Sequence, residues 1–537
     1  MKKLTPIQLD ILISFAAALV ISLALAALQP PPFFSAWYGT NLLLWLSFFL
    51  GLRAWRYLSG GRLLAILMLV TFFTRLLLGL FFYTTLPEIG FNNAAEDAGY
   101  VYSDAYTRDT YALTLARSDD PLSTVFTGDQ GVDQYGGLLF LSAGVYRFFS
   151  LDESRPLLII ILGSLVMTVG LAFLYDALKR RWGEKVALVS GWFFALYPEG
   201  MLLGSSQMRE PFLIGFFCIA FWAVITWREK TGQKILFYLV PIILSLVISL
   251  PFGAINAGFI LAFGFVEWLM AQKKGSIRTI GFAVLAVAGT IALVAGWMWI
   301  KPTIYYDAFI TRVSSGNMTV LLDRLDPKLA IPFITFYGFT QPFLPGALTD
   351  ESVPVWKTIA IVRSLGWWFV LPFMLYGFFA VWKAQPRSDR WGLVVVALSL
   401  AAWILVSSLR AGGDQWDNPR YRALLIPWFA LLVGWCWQHI RKGHLAWFLR
   451  WLAVLLIFFI GARRVISKLK ESNSSIVTGG NRGSSKAEER AETCTSSYRG
   501  SEDVNLPMHP LRAPFCFNVT NTPRCCFSAS AILFSSI

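Results

Sequence analysis

Charged residues are scarce in this chain of 537 residues. Asp, Glu, Lys and Arg make up 15% of it and hydrophobic residues 56%, whereas an ordinary soluble domain carries about 25% charged residues. A water-soluble fold is therefore excluded. Apolar runs of roughly 17 residues or more recur along the chain, which is the length that crosses a hydrocarbon core about 30 Å thick.

Histidine and cysteine are also rare, with three and six residues. Cys218 and Cys436 lie in apolar runs and the other four cysteines come after residue 490, so neither a disulfide framework nor a metal-ligand spacing is evident. The net charge of +14 lies mainly in short segments between apolar runs, as cytoplasmic retention of Lys and Arg predicts. A nucleic-acid partner is therefore not expected.

The apolar runs predict an all-α, polytopic membrane protein with about thirteen transmembrane helices. Lys and Arg clusters between the runs fit one topology only if residues 135–149 do not cross the membrane. That run is short for a span, so it is predicted to be an interfacial helix on the outer surface. The predicted spans are residues 8–28, 37–57, 62–84, 156–178, 186–203, 209–227, 235–251, 253–271, 279–300, 364–382, 391–409, 422–440 and 445–461.

The predicted spans divide the chain into three parts. Residues 1–61 form two N-terminal transmembrane helices, and residues 62–461 form the main transmembrane domain, with an extracytoplasmic loop at 85–149. Within that loop, residues 85–134 carry nine acidic side chains against two arginines, so its charge is strongly negative. Residues 462–537 are basic at first and then of low complexity, which predicts a disordered tail.

The most informative polar residues lie in the loop stretch from Ser103 to Arg117, which predicts a short helix. Asp104 and Arg108 have the four-residue spacing of a favourable ion pair, and Ser103 or Asp104 is suited to cap the helix N-terminus. Those roles give Asp104 a purely structural interpretation. The functional interpretation is a carboxylate at the membrane surface that accepts a proton from an attacking hydroxyl group.

The segment that begins with Asp104 and includes Asp109 resembles the first large extracytoplasmic loop of the GT-C type membrane glycosyltransferases. This superfamily includes protein O-mannosyltransferases and lipid A aminoarabinose transferases. The later stretch with Gln134 and Tyr135 is similar to the motif that closes this loop, with two glycines in place of the usual prolines. The resemblance is good over residues 62–227 and patchy afterwards.

A late Arg420-Tyr-Arg422 motif is similar to the Arg-Tyr-Arg segment of the same superfamily. By resemblance, Asp104 or, failing that, Asp109 is the catalytic base. The residues implied in substrate binding are Arg108, Gln134, Tyr135, Arg209, Glu210, Arg420 and Arg422. A structural alternative stays open, because charged residues at helix ends also anchor helices or snorkel, although a guanidinium is well suited to a phosphate leaving group.

The resemblance implies a transferase that moves a sugar from a polyprenyl-phosphate donor to a hydroxyl of a glycan, lipid or protein acceptor. Transfer would take place on the extracytoplasmic face of the cell membrane, with inversion at the anomeric carbon. The lipid-linked sugar is a co-substrate, no cofactor is implied, and the spacing of the loop acids matches no metal-binding loop.

Two other functions fit the composition. A transporter or flippase of lipids or oligosaccharides is expected to have ionisable residues or broken helices at mid-membrane, often with an internal repeat. Most predicted spans lack a central charge and no repeat is evident, which favours the enzyme. A noncatalytic component of envelope assembly would use the same acidic loop as a docking surface.

Overall fold

The computed structural model describes most of the chain up to residue 440. The described ranges are 5–126, 136–227, 231–314, 326–349, 352–385, 387–412 and 414–440, with a few residues between 446 and 460. Within these ranges every regular element is a helix, which confirms the all-α prediction. Gln134, Tyr135 and the predicted tail 462–537 lie outside the described residues.

Nineteen α-helices are given labels here in chain order. Helices α1 to α6 are Pro6–Ala26, Phe33–Tyr57, Arg62–Ile89, Ala94–Asp97, Ser103–Arg117 and Gly137–Phe149. Helices α7 to α13 are Pro156–Trp182, Glu184–Leu196, Pro198–Gly204, Glu210–Ile225, Thr231–Ile248, Leu250–Ala271 and Gly275–Ser314. Helices α14 to α19 are Pro327–Thr340, Leu344–Thr349, Pro354–Ala380, Arg387–Ala411, Asp417–Ala423 and Ile426–His439. Short 3-10 turns occupy Leu122–Phe126 and Val381–Lys383.

Eight helices in the described part are long and apolar enough to cross a membrane. They are α1, α2, α3, α7, α12, the Gly275–Met298 part of α13, α16 with its following turn, and α17. A ninth span would consist of α8 and α9 together, which are bent by 53° at their junction. The chain is therefore a membrane protein.

The predicted count of about thirteen spans is not confirmed. Helices α10 and α19, in the predicted spans 209–227 and 422–440, have only 16 and 14 residues, and a crossing helix needs about 20. The last predicted span, 445–461, lies partly outside the described residues. Helix α6 has 13 residues, too few to span, in agreement with the prediction that this stretch does not cross.

Helix α7 lies at the centre of the bundle, where it packs against α2, α3, α8 and α10. It begins with Pro156, whose fixed φ suits the first helical position, and its C-cap is Gly183, with φ +92°. Most of its residues are buried because neighbours surround it. Gly170 meets Gly215 of α10 so closely that an added Cβ would lie 2.7 Å from the Gly215 Cα atom.

The N-terminal helices α1 and α2 pack against each other through a buried charge. Asp10, with no exposed surface, pairs with Arg53 and Arg56 of α2 at 3.2 and 2.7 Å. At the opposite end of these two helices, Arg155 donates to the Pro30 carbonyl at 2.6 Å, and Ser35 donates to Asp152 at 2.5 Å. The two helices are thus joined to α7, because α2 packs against it and Arg155 precedes its first residue.

The bend between α8 and α9 is held by a buried arginine that was not predicted. Arg75 lies within the span α3 and donates to the carbonyls of Phe194 and Ala195 at 3.1 and 3.2 Å. These carbonyls are in the last turn of α8, where Pro198 ends the helical hydrogen-bond pattern. Gly204 leaves room for Arg75, since an added Cβ would lie 2.6 Å from the Arg75 Cδ atom.

Candidate functional site

Helix α5 carries Asp104 in its first turn, where the side chain is accessible. The helix begins at Ser103 with Tyr102 as the N-cap residue and has no side-chain cap, so the predicted capping by Ser103 or Asp104 is wrong. The physical reason is that the Asp104 carboxylate is engaged elsewhere. It pairs with Arg108, as predicted, at 3.5 Å, and its side chain is 42% exposed.

Arg420 of α18 is the centre of the site. Its Nη1 atom donates to Asp104 at 3.1 Å, and its Nε atom donates to Glu210, the first residue of α10, at 2.7 Å. Asp417, three residues before it on the same helix, lies 3.5 Å from Nη1. The structure therefore brings together residues from the loop, the middle and the end of the chain, as the three motifs predicted.

The charges of this cluster set the ionisation of the accessible carboxylate. Burial alone would raise the pKa of Asp104, but the positive charges of Arg420 and Arg108 outweigh this effect and lower it below the ordinary value. Burial would likewise lower the pKa of Arg420, whereas the surrounding carboxylates, Glu210 foremost, hold it well above its usual range. Both groups are therefore charged at neutral pH and stabilise each other.

Asp109, the second candidate base, is enclosed by hydroxyl groups. Its carboxylate accepts hydrogen bonds from Tyr100, from Tyr146 at 2.5 Å and from Ser154, and only 1% of the residue is exposed. Burial raises its pKa, although these hydrogen bonds partly oppose the rise. Tyr146 is on α6 and Ser154 precedes α7, so Asp109 fastens the loop helix to both. An acceptor molecule has no access to this carboxylate.

Arg209 and Glu210 lie where α10 begins, beside the loop helix. Arg209 Nε is 3.6 Å from Glu210 Oε1, and its guanidinium stands over the Phe252 ring at 5.0 Å. Arg108 donates to the backbone carbonyl of Gln207 at 3.0 Å and so ties α5 to the same segment. Four of the predicted binding residues, Arg108, Arg209, Glu210 and Arg420, therefore belong to the same cluster as Asp104.

Arg422 points away from this cluster. It donates to the carbonyls of Phe339, at 3.4 Å, and Gln341, and its guanidinium covers the Trp367 ring at 3.9 Å. Residues two positions apart on a helix face different sides, which separates it from Arg420. Its described hydrogen bonds are with the C-terminal end of α14, and the structure does not bring Arg422 to Asp104.

A second buried ion pair adjoins the cluster and was missed as such by sequence reasoning. Glu199 of α9 forms a two-pronged pair with Arg363 of α16, at 2.7 and 3.0 Å, with both side chains 3% exposed. Arg363 stacks on Trp416 at 4.4 Å, and Tyr102 packs edge-on against the same indole at 6.0 Å. The sequence places Arg363 directly before the predicted span 364–382. The helix in fact begins at Pro354, so Arg363 lies within it, where a charged side chain needs a partner.

Comparison with models of known protein families gives no match, and comparison with curated proteins gives none either. The resemblance to GT-C glycosyltransferases therefore stays a prediction from the motifs. In the described part of the chain, no three His, Cys, Asp or Glu side chains come together as a set that could hold a metal ion. What the arrangement offers chemically is an accessible carboxylate beside a buried guanidinium.

Proposed function

We propose that the chain is a membrane glycosyltransferase that moves a sugar from a polyprenyl-phosphate donor to an acceptor hydroxyl. The observation that carries the proposal is the contact between Asp104 and Arg420, 3.1 Å apart. A general base needs an accessible, ionised carboxylate, and a phosphate leaving group needs a fixed cation. The cluster supplies one of each in direct contact, with the Asp104 side chain 42% exposed and Arg420 buried.

In the proposed reaction, Asp104 takes the proton of the acceptor hydroxyl. The acceptor oxygen bonds to the anomeric carbon while the bond from that carbon to the phosphate oxygen breaks, and the electron pair leaves with polyprenyl phosphate. Arg420 stabilises the departing negative charge, and this single displacement inverts the anomeric carbon. Arg108 and Arg209 add positive charge, Glu210 holds Arg420 in place, and Asp109 is a structural anchor of the loop.

The proposal keeps the expected topology. About thirteen crossings are retained, with α10, α11 and α19 among them, and the acidic loop that carries α5 faces the extracytoplasmic side of the cell membrane. The acceptor is a glycan, lipid or protein on that side. Arg422 is assigned a structural role in place of phosphate binding, because its contacts are with backbone carbonyls and an indole ring.

A transporter or flippase is the second candidate, and two observations favour it. The bent pair α8 and α9 is the kind of broken span that transporters place around a substrate, and Arg75 is a buried ionisable residue within a span. Against this reading, Arg75 is already engaged with backbone carbonyls that the break leaves open. Its hydrogen bonds account for its position without a transported ligand.

The test is sugar transfer from radiolabelled polyprenyl-phosphate donors in membranes that contain the wild type, Asp104→Asn or Asp109→Asn at matched protein levels. Asp119→Asn, an exposed acid in the same loop, is the control. Loss of the base should lower the rate by about 10²- to 10⁴-fold in Asp104→Asn. Asp119→Asn should retain wild-type transfer.

The outcomes separate the candidates. Transfer that survives Asp104→Asn but not Asp109→Asn would reverse the assignment of the base. Transfer unaffected by either change would remove the proposed mechanism. If the wild type transfers sugar from none of the donors, the transporter and the noncatalytic envelope component become the better explanations, and uptake of labelled lipid into proteoliposomes distinguishes those two.

A further inference from the structure

Side chains of two other helices bind the carboxyl end of α14. The last carbonyl groups of an α-helix have no partner within the helix and need donors from elsewhere. Here four successive carbonyls, from Gly338 to Gln341, receive such donors. Asn418 donates to the first at 2.7 Å, Trp367 and Arg422 donate to the second at 3.0 and 3.4 Å, Trp368 donates to the third at 3.2 Å, and Arg422 also donates to the fourth. The end of α14 is thus held by α16 and α18 together.

Helix α18 supplies two of these donors from one of its faces. Asn418 and Arg422 are four positions apart, so they lie on the same side of the helix. Arg420 lies between them in the sequence and points to the opposite side, where it meets Asp104 at 3.1 Å. Helix α18 therefore joins the end of α14 to the candidate site, and the contacts of one face determine where the other face lies.

Asn418 is fully buried, and both hydrogens of its amide are engaged. Nδ2 donates to the Gly338 carbonyl at 2.7 Å and to Gln341 Oε1 at 2.9 Å. Gly338 permits this approach, because an added Cβ would lie 3.0 Å from Asn418 Nδ2 and 2.7 Å from the Gly412 Cα atom. Because the amide has no exposed surface, replacement of Asn418 would cost hydrogen bonds that water does not restore and would loosen the join between α18 and α14.

We propose that Asn418 is a positioning residue for Arg420 and that it acts by holding α18 against the carboxyl end of α14. The inference rests on the proposed function, in which Arg420 stabilises the leaving phosphate. Helix α18 has only seven residues, so a shift of one face moves the other with it. Arg420 lies 3.1 Å from Asp104, and a retreat of about 0.5 Å would already break this hydrogen bond.

Two further contacts keep α18 helical without Asn418. The Asp414 carboxylate accepts from two backbone amides at the start of the helix, at 2.6 and 3.0 Å. Trp403 donates to the Tyr421 carbonyl near the other end, at 2.9 Å. The change Asn418→Ala should therefore displace α18 rather than unfold it.

The ionisation of Asp104 reports the position of Arg420. Burial would raise the pKa of Asp104, and Arg420 is the largest of the opposing influences that lower it. The other charged groups that face this pair are Arg108, Arg209, Glu210 and Asp417. A retreat of Arg420 should therefore raise the pKa of Asp104 and increase the protonated fraction of its carboxyl at a given pH.

Carbodiimide coupling measures that protonated fraction without any need for sugar transfer, because a carbodiimide activates the protonated carboxyl. The full-length protein in nanodiscs is treated with a water-soluble carbodiimide and glycine ethyl ester at about pH 5.5, above the ordinary carboxyl pKa. Mass spectrometry gives the rate at Asp104 relative to the exposed Asp119 of the same loop. We expect Asn418→Ala to raise the rate at Asp104 about tenfold, as a pKa rise of about one unit does.

Matched variants separate a positioning role from general loosening. Trp368→Phe removes a donor to the same end of α14, but from α16 instead of α18, and should leave the rate at Asp104 unchanged. Arg420→Gln sets the full effect, and Asn418→Ala should add nothing to it if it acts through Arg420. Gln341→Met removes only one of the two acceptors of the Asn418 amide and should give a smaller increase. It keeps the test informative if Asn418→Ala does not fold.

Three results would overturn the inference. They are wild-type labelling of Asp104 in both Asn418→Ala and Gln341→Met, an equal increase in Trp368→Phe, and an increase that persists when Arg420 is already replaced. The expected labelling in a chain that transfers no sugar would reject the transferase and keep the positioning role. Sugar transfer with labelling and acid limb of kcat/KM both unchanged in Asn418→Ala would do the opposite.

Discussion

The Nη1 atom of Arg420 lies 3.1 Å from the Oδ2 atom of Asp104, although 316 positions separate the two residues in the chain. The group proposed to bind phosphate and the group proposed to take a proton therefore neutralise each other when no substrate is bound. A phosphate that occupies Arg420 would release Asp104 and let its pKa rise towards the ordinary carboxyl value. Donor binding would in this way precede activation of the base.

The pH dependence of transfer tests this relationship. As the base, Asp104 must be ionised, and its pKa lies below the ordinary value, so the acid limb of kcat/KM should fall below the usual carboxyl range near pH 3.9. Arg108→Gln removes one of the two charges that lower this pKa and should move the limb to higher pH. Arg117→Gln, an exposed arginine at the other end of α5, should leave it in place.

An acid limb that stays fixed in Arg108→Gln, with transfer otherwise intact, would mean that a group other than Asp104 is titrating. A limb that moves equally in Arg117→Gln would point to the general charge of the loop. Only a shift specific to Arg108 supports the direct ion pair at 3.5 Å.

The class of fold could be predicted from composition, because a span needs a long apolar run and the chain has many of them. The span count is not confirmed, because α10 and α19 lie within longer apolar stretches but have only 16 and 14 residues as helices. The bend at Pro198 could not be predicted from the sequence either. A proline within an apolar run is compatible with a kinked helix or with a break. In the structure the helix is broken, and Arg75 binds the carbonyls of Phe194 and Ala195 at the break.

The candidate site was predicted in part. Asp104, Arg108, Arg209, Glu210 and Arg420 come together, as their order in the chain and their predicted side of the membrane suggested. Sequence alone could not separate Asp104 from Asp109, since both are on α5, and their difference depends on hydroxyls from α6 and from the segment before α7. It also could not show that Arg422 faces away from Arg420.

Asp109 should be more important for stability than for chemistry. Asp109→Ala removes the carboxylate that accepts from the buried hydroxyls of Tyr100 and Tyr146, and each hydroxyl that finds no other acceptor costs about 1–3 kcal/mol. Thermal unfolding in detergent should show a lower midpoint for Asp109→Ala than for Asp109→Asn, which keeps one acceptor oxygen. Equal midpoints for Asp109→Ala and the wild type would contradict the anchoring role.

The raised pKa of Asp109 determines how the contribution of this residue to stability changes with pH. Between the ordinary and the raised pKa, the folded state holds a proton that the unfolded state has lost, so this carboxyl contributes stability at low pH that disappears as the pH rises through that window. Asp109→Asn does not titrate. The unfolding midpoint of the wild type relative to Asp109→Asn should therefore fall as the pH increases from about 4.

The Glu199–Arg363 pair should show strong coupling in a double-mutant cycle. Both side chains are 3% exposed, and removal of one partner leaves a buried charge alone, which costs about 3–5 kcal/mol. Glu199→Gln and Arg363→Met should each lower the unfolding midpoint sharply, whereas the double variant should regain part of the loss. If the two single effects simply add, the pair is not an energetic unit.

The contact between Gly170 and Gly215 gives a prediction for the centre of the bundle. In Gly170→Ala the new methyl group would lie 2.7 Å from the Gly215 Cα atom and 2.8 Å from its carbonyl oxygen. Backbone cannot yield as a flexible side chain can, so α7 and α10 must separate, at a cost of about 1–3 kcal/mol.

Gly258→Ala on α12 is the matched control, because nothing lies within 4 Å of its added Cβ. An alanine there should be neutral or stabilising by about 0.5–1 kcal/mol, as is usual within a helix. Thermal unfolding of both variants measures the difference, and similar midpoints would mean that α7 and α10 are not in close contact at Gly170.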